Sequence, residues 1–261
     1  MTATNRSCGR ISIRAGVGAA CITGVLVALG PTAASPAAAS PTRGLASRTI
    51  VVDPGHNGAN GRHVSEINRK VFIGNGSKAC NTVGTSTNDG YAESAFNWDV
   101  AIRLKALLEE NGARVVLTRS DNDGWGPCID RRAAIAADSN ADASISIHAD
   151  GGPAGKRGFH VITPVPLKGL NADIAARSQT LGLAVRDALD AIGHPRSNYS
   201  GRDGMIARRD LGGLNLAKVP TAFVETGNMR NPTDAALLKS PDFRQKLAGT
   251  LAAALEQFIN Q

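Results

Sequence analysis

Short apolar runs rich in β-branched residues alternate along this chain with stretches of helical periodicity, and that alternation leaves few folds open. Residues 49–52 (TIVV), 114–118 (RVVLT), 143–147 (ASISI), 159–163 (FHVIT) and 221–224 (TAFV) read as strands. Between the first two, residues 93–110 place Phe96, Val100, Leu104 and Leu107 on one helical stripe, and Asn111-Gly112 stops it. Further helices are expected over 129–138, near 171–191 and at the C-terminus, where Phe243, Leu247, Leu251, Leu255 and Phe258 form a stripe. Strands that alternate with helices predict an α/β single domain, with a mostly parallel twisted sheet flanked by helices on both faces. With 261 residues, 42% of them hydrophobic, the chain is long enough for one ordinary core.

The first 40 residues do not belong to that pattern. Arg6, Arg10 and Arg14 stand in a stretch without acids, followed by an apolar run over 16–30 and then the small residues PTAASPAAAS. A basic region, an apolar region and an A-x-A-like zone together predict a secretory signal peptide over 1–40. The apolar run is shorter than the roughly 20 residues a membrane span needs, so no stable span is expected after processing. Residues 41–48 read as a linker and 49–261 as the catalytic domain. The whole chain carries +7; without the three signal arginines the balance is 26 Lys and Arg against 22 acids, about +4. A mildly basic exported protein suits an anionic cell-wall polymer, whereas the lack of a basic stripe with interleaved aromatics argues against nucleic acid. Cys8 and Cys21 fall in the signal. Cys80 and Cys128 remain as one pair, and in an exported protein such a pair is expected to form a disulfide.

Residues 57–92 form a long, polar, glycine-rich connection of the kind that is usually functional or mobile. It begins just after the first of three strand ends that carry ionisable groups. TIVV runs through Asp53-Pro54-Gly55 to His56, ASISI runs directly to His148, and TAFV directly to Glu225. In open α/β sheets ligands bind outside the carboxyl ends of strands. Two histidines with carboxylates in one such cleft are a zinc-like set, able to hold the ion and leave a position for water.

TIVVDPGH, AES with AIRLKALLEENGARVVLTRSDND, RRAAIAADSNADASISIHAD with GFHVI, and KVPTAFVETGNMRNPTDAALL together resemble the zinc-dependent N-acetylmuramoyl-L-alanine amidases of the amidase-3 family. The resemblance covers about residues 49–259. It implies His56, Glu93 and His148 as Zn2+ ligands and Glu225 as the catalytic carboxylate. The implied reaction is hydrolysis of the amide between N-acetylmuramic acid and L-alanine of the peptidoglycan stem peptide. Peptidoglycan or muropeptides are then the partners, the location is secreted, periplasmic or cell wall, and a monomer is expected. Here 37 positions separate His56 from Glu93, more than is usual in the family, and Glu66 lies closer. Glu93 opens the amphipathic helix as the family's glutamate does, which makes it the expected ligand. Gly55 and Gly58 would let the chain turn sharply and aim His56 at the metal. Asp53 either orients the His56 imidazole or caps the turn. Two other functions fit the same residues: another zinc amidohydrolase or peptidase acting within the stem peptide, or a non-catalytic peptidoglycan-binding protein. The second would be marked by loss of a ligand or of the glutamate, and all four residues are present.

Overall fold

A computed structural model describes residues 44–261, and Ser12 besides. The expected signal peptide, apart from Ser12, lies outside the described residues with Cys8, Cys21 and residues 41–43. Among the described residues no helix is long and apolar enough to cross a membrane.

The chain runs β1 (Thr49–Pro54), α1 (Val64–Asn68), β2 (Lys70–Phe72), β3 (Ser77–Ala79), α2 (Glu93–Glu110), β4 (Arg114–Leu117), α3 (Ile129–Asp138), β5 (Ala143–Asp150), β6 (His160–Pro164), α4 (Ala172–Ala191), β7 (Met205–Arg208), α5 (Gly212–Asn215), β8 (Thr221–Asn228), α6 (Pro232–Lys239) and α7 (Pro241–Ile259). Six strands form one sheet in the order β4-β1-β5-β8-β6-β7. The first four are mutually parallel; β6 runs antiparallel to β8 and carries β7 parallel to itself. The expected α/β domain with a mostly parallel sheet is therefore present. Its parallel half brings the carboxyl ends of β1, β5 and β8 side by side.

The residues explain the helices. α2 and α3 keep the bounds their periodicity predicts, although the buried position in the last turn of α2 is Leu108, with Leu107 only partly buried. α6 and α7 start with proline just inside a capping side chain: Asn231 accepts from Thr233 and Asp234 N–H groups, and Ser240 from that of Phe243. The main core lies between one sheet face and α2, α4 and α7, with Phe96, Leu104, Ile145, Leu181, Leu251 and Phe258 among its members. Leu45 is fully buried in the same core, and its N–H bonds Asn111 O at 3.2 Å. The supposed linker is thus folded onto the domain from Gly44 onward, because an apolar side chain there finds a place to bury.

The long connection after β1 is also ordered. It holds α1 and the β2–β3 hairpin, and Cys80, directly after β3, bonds Cys128 in a disulfide just before α3. Val71, Cys80 and Cys128 form a small apolar cluster of their own under Ile129. That cluster and the covalent bond stabilise a segment whose polar sequence shows no core-forming period.

Candidate metal centre

His56, Glu93 and His148 converge at the carboxyl edge of the sheet, each offering one ligand atom, all within 4.8 Å of one another. Three separate elements supply them. His56 follows β1, and Gly55 N–H bonds Ile147 O at 3.1 Å, which fixes the end of β1 against β5. Glu93 stands in the first turn of α2, where the helix dipole favours a negative charge. β5 does not stop before His148 but continues through it, because His148 pairs with Glu225 of β8 before the register shifts at Asp150.

The close contacts define the donor atoms. Glu93 Oε2 lies 3.1 Å from His56 Nε2, and Glu93 Oε1 lies 2.8 Å from His148 Nδ1. His56 Nδ1–H donates to Thr82 O at 2.9 Å, since a carbonyl can only accept, and this turns Nε2 toward the centre. Thr85 N–H and Ala149 N–H donate to the two Glu93 oxygens at 2.9 and 3.3 Å. The His148 ring stacks on Phe223 at 4.1 Å and meets His56 edge-on at 4.8 Å. It also lies so close to Gly55 that a Cβ there would come within 2.1 Å of His148 Nε2. Gly55 is therefore required for close approach, while the left-handed residue of the turn is His56 itself, at φ +60°. The sharp turn expected from Gly55 and Gly58 thus takes its left-handed step at His56, and neither glycine has a positive φ.

Charge follows the same geometry. Burial opposes ionisation of Glu93, but the charges and hydrogen bonds of His56 and His148 outweigh it and hold the carboxyl well below the usual range. For His56, burial works against the charged ring, and Glu93 overrides it to raise the pKa. For His148 burial wins and the pKa is lowered. Two imidazoles and an ionised carboxylate, nearly dry and converging on one point, are the donor set of a borderline cation such as zinc. The residues fit the group the resemblance implies.

Glu225 lies on the same face, next to His148 across the β5–β8 pair. Its Oε2 is buried and has no hydrogen-bond partner among the described residues. Burial, then the nearby Glu93 and Asp150 charges, push its pKa well above the ordinary value. All four residues line one cavity of about 610 Å³ that runs along the sheet beneath α3 and α5. Glu66 is not part of the group: it sits on α1 and pairs with His63 at 3.1 Å, its side chain 44% exposed. Asp53 takes neither expected role. Its carboxylate accepts from Arg132 at 2.5 Å, Thr118 Oγ1 at 2.5 Å and Ser146 Oγ at 2.6 Å, and none of these is the His56 ring.

The family model described as N-acetylmuramoyl-L-alanine amidase, amidase-3, matches residues 50–257. The chain belongs to this family. The amidase is similar to N-acetylmuramoyl-L-alanine amidase Rv3717 of Mycobacterium tuberculosis, 45% identical over 239 residues that cover 91% of this chain and 97% of that protein. Among solved structures it resembles the amidase Ami1 of Mycobacterium smegmatis, with 44% identity and a TM-score of 0.78 over 82% of this chain and 98% of that one. It likewise resembles Ami1 of Mycobacterium abscessus, with 42% identity and a TM-score of 0.78 over 82% of this chain and 99% of that one. Amidase AmiC2 of Nostoc punctiforme, at 22% identity and a TM-score of 0.63 over 83% of this chain and 99% of that one, shares the fold. The chain is accordingly a hydrolase with N-acetylmuramoyl-L-alanine amidase activity on peptidoglycan.

Reading residues along the chain missed the groups that hold the amidase's centre together: Thr82, Thr85, Arg119 and Arg132. One of them carries a visible signal. Arg132 falls with Ala133 and Ala136 on the buried side of α3, and a charged residue on an otherwise apolar stripe calls for a buried partner.

Proposed function

We propose that the amidase is zinc-dependent, with His56, Glu93 and His148 as the ligands and Glu225 as the general base and acid. The observation that carries this is the convergence of the three donors beside Glu225, whose buried Oε2 has no partner among the described residues. When bound, zinc supplies Lewis acidity, which polarises a carbonyl and lowers the pKa of water to about 7. Glu225 Oε2, with no bond to break, accepts the proton of the attacking water and returns it to the departing L-alanine nitrogen. Phe223 stacks on the His148 ring and Gly55 approaches it closely, and Thr82 fixes the tautomer of His56. The cavity along the sheet admits the muropeptide chain beside these groups. Supporting the wall as the place of action are the family, the signal-like residues 1–40 and the disulfide.

Mass spectrometry of fragments from a defined muropeptide tests the reaction. The expected products are a free muramoyl carboxylate and a stem peptide with L-alanine at its N-terminus; cleavage inside the stem would overturn the reading. Metal analysis tests the cofactor, with one zinc per chain expected. Sequencing the exported protein tests the leader, with cleavage expected within residues 34–40.

A further inference from the structure

His56 combines two properties that conflict. It is a ring with a demanding orientation, and its backbone sits in the left-handed region at φ +60°, which a residue with a Cβ adopts only at a cost. The strand bonding ends one residue earlier, where Gly55 N–H meets Ile147 O at 3.1 Å. What holds its carbonyl is the Arg132 guanidinium, whose Nη2 donates to His56 O at 2.6 Å and to Gly126 O at 2.8 Å. The other nitrogens are equally committed. Nη1 donates to Asp53 Oδ1 at 2.5 Å, Pro54 O at 2.8 Å and Thr118 Oγ1 at 3.2 Å, and Nε to Pro127 O at 3.0 Å. One buried guanidinium thus touches both ends of the Asp53–His56 turn and the loop that leads into the disulfide.

Asp53 keeps that guanidinium in place. It is held ionised with a pKa lowered to about 2; burial opposes this, but Arg132, Ser146 and Thr118 outweigh it. Arg119 adds a second grip from the other side, with Nε on Pro54 O at 2.9 Å and Nη2 on Ser94 O at 2.8 Å, one residue after Glu93. The chemistry needs a planar, multidentate cation: a lysine could neutralise Asp53 but could not reach six acceptors at once.

We propose that Arg132 is a positioning residue for metal binding, holding His56 in its left-handed conformation so that Nε2 meets the ion without reorganisation. The inference rests on His56 being a zinc ligand. Arg132→Lys is the variant that tests it. The zinc dissociation constant is measured on folded protein by competition with a chromophoric chelator, beside the melting temperature of the metal-free form. Arg132→Lys should weaken zinc binding about 10- to 100-fold, the usual range for groups that orient ligands. Leu189→Ala, a core substitution under α4, provides the matched loss of stability and should leave zinc affinity at the wild-type value.

If Arg132→Lys does not fold, Thr118→Val asks the same question at smaller amplitude. It removes the hydroxyl shared by Asp53 and Arg132, and about a three- to tenfold loss of affinity is expected. Wild-type affinity in folded Arg132→Lys, or in Thr118→Val where that variant stands in, overturns the inference. So does an equal loss of affinity in Leu189→Ala, which would make the effect one of general stability. His56→Ala keeps the two readings apart. If wild type binds zinc and His56→Ala binds it as tightly, the ligand assignment fails, whatever Arg132 does.

Discussion

The two faces of the central sheet follow the same period-two alternation and serve opposite ends. On β5, Ala143, Ile145 and Ile147 point into the main core, while Ser144, Ser146 and His148 line the cavity. On β8, Ala222 and Val224 face the core and Thr221, Phe223 and Glu225 the cavity. The core face is sealed by α2, α4 and α7, of 18, 20 and 19 residues; among the described residues the cavity face has α3 and α5, of 10 and 4. Long amphipathic helices close one side with their apolar stripes, and short ones leave the other open enough for a substrate. The difference teaches that a single strand can carry stability and chemistry on consecutive residues without either compromising the other, because their side chains never share a neighbourhood.

Consecutive residues are therefore the sharpest way to break the comparison. His148→Ala should lose zinc and bring turnover to background with a folded domain. Ile147→Ala, one residue earlier and fully buried, should keep stoichiometric zinc while losing about 2–5 kcal/mol in denaturant unfolding. If the first variant unfolds or the second loses its metal, the faces are not independent. Glu225→Gln comes next: zinc retained, and turnover reduced by about 10²–10⁴-fold in steady-state kinetics. Loss of zinc in this variant would make Glu225 a ligand.

The disulfide belongs to the cavity face, where packing is thinnest. Cys80→Ser with Cys128→Ser frees a loop of sequence separation 48 and should reduce stability by roughly 3–5 kcal/mol in calorimetry, with the fragment preference of the folded fraction unchanged. An altered preference would mean that the bond also shapes the cleft. The smallest effect concerns pH. Asp53 has a folded pKa of about 2 against an ordinary value of 3.8. Its stabilising contribution, about 2 kcal/mol, is fully present above the ordinary value and is lost as pH falls through the folded one. Acid titration of unfolding should show that loss in wild type, and Asp53→Asn should flatten it.

Much of this was legible from the chain alone. Helix periodicity is a local property, so the bounds of α2 and α3 could be read from residues a turn apart, and their helical character needed no knowledge of what they pack against. The ends of TIVV, ASISI and TAFV showed His56, His148 and Glu225, because an ionisable residue at the end of an apolar run, directly for His148 and Glu225 and after Asp53-Pro54-Gly55 for His56, stands out in any context. Tertiary structure decided what depends on distant partners. The antiparallel direction of β6 and the edge strand β7, whose MIAR has little strand character, follow from pairing with residues far along the chain. So does the order of the 57–92 connection, whose hairpin has three residues per strand and leans on Cys128. Glu93 is distinguished from Glu66 in space by which carboxylate reaches two imidazoles, and Asp53 by a guanidinium 79 positions away. A periodic pattern repeats over neighbouring residues and can be read along the chain, whereas a hydrogen bond between separate elements exists only once the sheet has brought them together.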